Sequence, residues 1–163
     1  MELWDIYDDN RKKTGQTIMR GKKLQLGQYH LVIHAWIINN NGEILIQQRA
    51  PKVEVWPNMW AMTGGSAIEG EESIETCQRE VYEELGISIE NDKIELAFTI
   101  KRKDNFCDVW IIKKDFYIEQ CSLQKEEVSK VMWAKKDIIK KLISEGKFVN
   151  YNYIDKLFVY ANI

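Results

Sequence analysis

The stretch that most constrains this chain is Gly65 to Ile87, GSAIEGEESIETCQREVYEELGI, a glycine-opened loop running into a short acid-rich helix. Between Glu72 and Leu85 the apolar positions Ile74, Cys77, Val81 and Leu85 recur at three- and four-residue steps, so one stripe of the helix has to be buried against a larger body. Gly86 suits the left-handed position that ends such a helix. On another face Glu80, Glu83 and Glu84 stand at i, i+3 and i+4, which gathers three carboxylates on a single turn. Crowding of that kind on an exposed helix costs only ~0.2–0.5 kcal/mol per pair, so a solvated acidic face would tolerate it. Hard oxygen ligands on one turn are also what Mg²⁺ takes, alongside waters and substrate phosphates. The segment is therefore a candidate phosphate-linked metal site.

The rest of the chain reads as the body that carries it. With 163 residues, one domain spanning 1–163 can bury roughly two-thirds of its unfolded surface. Tyr29 to Ile38 is a near-continuous apolar run, NNNG offers a turn, and Glu43 to Arg49 returns, which predicts a hairpin of two long strands. Trp60 to Thr63 predicts a further short strand leading into Gly64 and Gly65. Lys93 to Arg102 and Cys107 to Tyr117 predict a second hairpin around KRKDN, and Val128 to Ala134 a last strand. Lys136 to Glu145 has helical apolar spacing and stops at Gly146; Tyr151 to Tyr160 is apolar enough for a second C-terminal helix. Residues 1–24, with β-prone runs around DDNRKKTG, suggest an N-terminal hairpin or arm, either a lid on the core or a contact with a second subunit or substrate.

Charge and composition narrow the partners. A net charge of −2 with interspersed signs supplies no basic field for nucleic acid, so none is expected as a partner. No window approaches the ~18 apolar residues of a membrane span, and the N-terminus lacks a secretory signal, so a cytoplasmic location is expected. Cys77, Cys107 and Cys121 are odd in number and far apart, which suits free thiols. His30 and His34 fall on one face of their strand, without an evident third ligand for a metal. Trp56 and Trp60 flank the loop that holds both prolines, and either could bury area or stack on a planar ligand.

The fixed points Gly65, Glu71, Arg79, Glu80, Glu83, Glu84 and Gly86, with aliphatic Val81 and Ile87, meet every position of the pattern G-x5-E-x7-R-E-U-x-E-E-x-G-U. At residue frequencies near ~7%, seven such identities arise by chance on the order of 10⁻⁶ times over a chain of this length. The segment resembles the Nudix box, and the order of strands and helices around it looks like the α/β/α sandwich with a mixed sheet of that superfamily. The resemblance implies an enzyme that hydrolyses a diphosphate linkage in a nucleoside diphosphate-X compound or a related small molecule. It implies Mg²⁺, or Mn²⁺, on Glu80, Glu83 and Glu84, with the Gly64 carbonyl as a further ligand. Gly65, Glu71, Arg79 and Gly86 would support the box. Glu83, with Glu80, is the favoured catalytic acid, and Asp108, Glu126 and Glu127 are its rivals. Arg49, Trp60, Asp108 and Glu127 are candidates for substrate contact, and a homodimer is possible.

The N-terminal half, with WDIYDDN, YHLVIHAWIIN and WPNMWAMTGG, is also similar to the Nudix branch of isopentenyl-diphosphate isomerases. Such isomerases use a cysteine just ahead of the box glycine, where this chain has Gly64. Isomerase-like activity and a non-catalytic nucleotide-sensing module stay as alternatives to hydrolysis.

Overall fold

A computed structural model describes all residues, 1–163. The elements run β1 (Leu3–Tyr7), β2 (Lys13–Met19), β3 (His30–Ile38), β4 (Ile44–Arg49), β5 (Trp60–Ala61), β6 (Thr63–Ser66), α1 (Ser73–Leu85), β7 (Lys93–Lys101), β8 (Asn105–Lys113), β9 (Val128–Ala134), α2 (Lys136–Ser144) and α3 (Ile154–Ala161). Strands β3 to β9 form one mixed sheet in which β3 and β8 are parallel and the other pairings antiparallel. Along it the order is β5-β4-β3-β8-β7, with β6 on β3 and β9 on β4.

The alternation of β3 produces the layers. Ile33, Ala35 and Ile37 meet Cys77, Val81 and Leu85 of α1 on one face. Trp36 and Ile38 meet Ile139 of α2 and Leu157 and Phe158 of α3 on the other. The helix stripe read from the sequence is this contact: Cys77, Val81 and Leu85 are wholly buried, and truncating Leu85 to alanine would cost about 2–5 kcal/mol. Gly86 ends α1 at φ 69°, where a side chain would also press on Ser122.

One expectation needs correction. β3 and β4 do not form a long hairpin ladder; they share the single pair Ile38↔Ile44 beside the turn and then diverge. β6 takes the vacated edge of β3 from Val32 to Ala35, β5 takes that of β4 at Gln47 and Gln48, and β9 pairs along the other edge of β4. The backbone groups of both strands are thus satisfied by other partners, which is why divergence is tolerated. The expected single strand through Thr63 is interrupted at Met62, and the second C-terminal helix begins only at Ile154.

β1 and β2 make the separate N-terminal hairpin. It is docked on its own chain by the Tyr7–Tyr29 backbone bridge, by Trp4 stacked on His30 with ring centres 4.0 Å apart, and by Arg11, which reaches Asp108 on β8. Cys77 and Cys107 are buried free thiols and Cys121 is half-buried. No helix is long and apolar enough to cross a membrane.

Candidate active site

The acids of α1 lie against β6. Gly65 pairs with Ile33 and Gly64 with His34, and each glycine is required for its own reason. A Cβ on Gly64 would sit 2.6 Å from the Ile33 carbonyl oxygen, and one on Gly65 would enter the Glu80 carboxylate. Glu80 therefore rests directly on main chain. Burial pushes its carboxyl up to about 7, against the opposing pull of Arg79.

Glu84 is 6% exposed and accepts a 2.8 Å hydrogen bond from Gln47 Nε2 on β4. The Gln47 carbonyl accepts in turn from Thr63 Oγ1 at 2.9 Å, so a buried relay crosses the gap that the diverging strands leave. Burial, with the charges of Glu80 and Glu127, raises the Glu84 carboxyl to about 8 even though Gln47 favours its ionised form. Glu83 is the exposed member of the three.

Arg79 organises the group. Its Nε donates to Glu71 at 2.6 Å and Nη2 to Glu71 and to the Ser66 carbonyl, each at 3.0 Å. Nη1 donates to Glu80 and Glu83, also at 3.0 Å. Glu71 further accepts from the Ile68 N–H at 3.1 Å and Thr76 Oγ1 at 2.9 Å. Burial would raise the Glu71 carboxyl, but these donors, Arg79 foremost, hold it below its ordinary value. A planar guanidinium can serve loop and helix at once in a way an ammonium cannot.

The donor set suits a hard divalent cation. Three carboxylates share one turn, two of them sit in surroundings that penalise negative charge, and Glu80 faces a backbone with no intervening side chain. No three acidic, histidine or cysteine side chains converge here; Arg79 engages Glu80 and Glu83, and Gln47 engages Glu84.

On the far side of the Gly64–Gly65 strand a cavity of about 520 Å³ opens, lined by His34, Arg49, Trp56, Arg102, Tyr151 and Asn152 among others, with no acidic side chain. Arg49 is thus at the cavity, its Nε donating to the Val55 carbonyl at 2.8 Å. Trp56 is exposed at its rim in a left-handed conformation, φ 50°.

Three other candidates fall elsewhere. Trp60 does not line the cavity: it pairs with Gln48 in β5 and packs on the core under α2 and α3. Asp108 is wholly buried, held by Arg11 on both oxygens, by Ser73 Oγ at 2.5 Å and by Thr99 Oγ1 at 2.6 Å. It ties the hairpin to the start of α1. Glu127 lies outside the cavity lining, its carbonyl accepting from the Ala50 N–H at 2.8 Å, yet its charge reaches Glu84.

Sequence reasoning passed over Arg102, Tyr151 and Asn152, which no local pattern marks, and read His34 as structural. His34 does hydrogen-bond Tyr153 Oη through Nδ1 at 2.6 Å, but it also lines the cavity.

Comparison with known proteins bears on the family and the fold. The NUDIX domain family matches residues 28–157. A Nudix hydrolase of Listeria monocytogenes described as uncharacterised is 42% identical over 99% of this chain and 96% of its own. An isopentenyl-diphosphate Delta-isomerase of Photorhabdus laumondii is 30% identical over 67% of this chain and 62% of its own. A crystal structure from Deinococcus radiodurans superposes with a TM-score of 0.78 at 20% identity, covering 96% of each chain.

Proposed function

The chain belongs to the NUDIX family and is a pyrophosphatase-type hydrolase, and on that footing we propose that it cleaves the diphosphate of a nucleoside diphosphate-X compound in a Mg²⁺-dependent reaction. The observation that carries this is the trio Glu80, Glu83 and Glu84 on one turn of α1, two of them buried, set across the Gly64–Gly65 strand from a cavity with two arginines. Nudix hydrolases generally use divalent cations; here Glu80, Glu83 and Glu84 would hold Mg²⁺, with Mn²⁺ as a substitute, and the Gly64 carbonyl is a further donor. The bound cation supplies charge neutralisation at the phosphoryl oxygens and a more acidic water.

The chain's own groups do the rest. Glu83, the most exposed of the three acids, takes the proton of the attacking water at a carboxylate oxygen. Arg49 offers its guanidinium to the phosphate that faces the cavity. Arg79 keeps Glu80 and Glu83 on the right side of the helix, and it has to release part of its hold when they turn to a cation. Glu127 is the second reading for the base, because its charge already acts on Glu84.

The isomerase alternative is disfavoured by the 2.6 Å approach of a Gly64 Cβ to the Ile33 carbonyl, which leaves no room for the cysteine such chemistry needs. A silent sensor is disfavoured by retention of all the box acids. The test is turnover of a panel of nucleoside diphosphate-X and isoprenoid diphosphates by wild type and Glu83→Gln, with Mg²⁺ and after chelation. Wild type should release a phosphorylated X with Mg²⁺ alone, at least 100-fold faster than the variant. Isomerised isopentenyl diphosphate, or no turnover above Glu83→Gln, overturns the proposal.

A further inference from the structure

The cavity holds two arginines and no acid in a protein whose net charge is −2. Both guanidiniums have donors to spare. Arg49 donates only from Nε, and the Arg102 side chain enters none of the chain's ion pairs, its backbone N–H alone bonding Asn105.

The two cations stand at opposite ends. Arg49 closes β4, and its charge acts on Glu84 and Tyr151, so it belongs to the end near the acids. Arg102 follows β7, and its charge acts on His34 and Cys107. Strands β4 and β7 are separated by β3 and β8, and β4 parts from β3 after Ile38↔Ile44, so the backbones that carry the two arginines are at least three spacings of ~4.8 Å, about 14 Å, apart. The neighbouring Asp104 faces a different groove, with His30 and Trp4. His34 also lines the cavity, its Nδ1 hydrogen-bonded to Tyr153 Oη at 2.6 Å. Arg102 is the sole arginine at its end of the cavity.

One diphosphate does not need two cations that far apart. We propose that the substrate carries a second anionic group on its X moiety, a phosphate monoester or a carboxylate, and that Arg102 reads it while Arg49 faces the diphosphate. This rests on the hydrolytic reading for the diphosphate end only. A planar guanidinium suits both anions because each presents two oxygens to its fork.

Matched pairs test it: ADP-ribose 1″-phosphate against ADP-ribose for the phosphate, and UDP-glucuronate against UDP-glucose for the carboxylate. Binding is measured by calorimetry without metal and kcat/KM with Mg²⁺, for wild type, Arg102→Gln and Arg49→Gln. In one pair the anionic member should be preferred tenfold or more, Arg102→Gln should bring the two members within about twofold of each other, and Arg49→Gln should weaken both alike. Equal treatment of both members in every pair, including no binding at all, overturns the proposal, as does a preference that survives Arg102→Gln. Selective binding without hydrolysis sustains it and overturns the hydrolytic reading alone.

Discussion

Replacing Arg11 by alanine tests how the N-terminal hairpin is held. Asp108 is wholly buried and Arg11 about a third exposed; the guanidinium covers both carboxylate oxygens, leaving only Ser73 and Thr99 as other side-chain partners. Stripping one partner from a fully buried pair costs about 3–5 kcal/mol, because a charge is left without compensation. Two hydroxyl donors remain here and water can reach the vacated side, so about 2–3 kcal/mol is expected. Arg11 also sits at φ 60°, a strain of ~1–2 kcal/mol for a side-chain residue, which the ion pair has to outweigh. For a domain of this size the loss corresponds to a fall in Tm of about 4–12 °C. Chemical denaturation of Arg11→Ala, Asp108→Asn and the double variant measures it, with limited proteolysis of residues 8–15 reporting hairpin release. In the Asp108→Asn background, where no charge is stranded, Arg11→Ala should cost less than about 1 kcal/mol. A single-variant cost below 1 kcal/mol, or the same cost in both backgrounds, refutes the reasoning.

Three further outcomes are expected. Gly64→Cys should lose about 1–3 kcal/mol in a urea titration, since its Cβ meets the Ile33 carbonyl, and should gain no isomerisation of isopentenyl diphosphate. Arg79→Lys keeps the charge but not the fork that serves Glu71, Ser66, Glu80 and Glu83, so kcat should fall tenfold or more while Tm moves little. His30, lowered by burial to about 4, is neutral when folded yet protonated below about 6.5 when unfolded. Its stabilising contribution is present above pH 6.5 and is lost as pH falls toward 4, by up to ~1.4 kcal/mol per pH unit. His30→Phe, which keeps a ring against Trp4, should flatten the stability curve over that interval by this amount.

What could be read in advance follows from the range of the forces involved. The α1 stripe and the Glu80, Glu83, Glu84 turn are set by a 3.6-residue period, so they are written in adjacent residues. The apolar run of β3 and the stop at Gly86 are local in the same sense. The pairing of Asp108 was not legible because its main partner, Arg11, lies 97 positions away, and a lone acid in an apolar strand says nothing about who neutralises it. The β3–β4 ladder was overestimated because NNNG specifies a turn and not how far the strands stay together; the competing partner, β6, is a Gly-rich tetrad with little strand character. The cavity draws on residues from Val32 to Asn152, so it exists only once the sheet does.

The parting of β3 and β4 after a single pair has an evolutionary consequence. The wall between acids and cavity is main chain at Gly64 and Gly65, which side-chain substitution elsewhere leaves intact. Arg49, Trp56, Arg102 and the segment around Asn150 can therefore drift toward new substrates while α1 and its arginine clamp are inherited unchanged. Reaction and recognition descend on separable pieces of the chain.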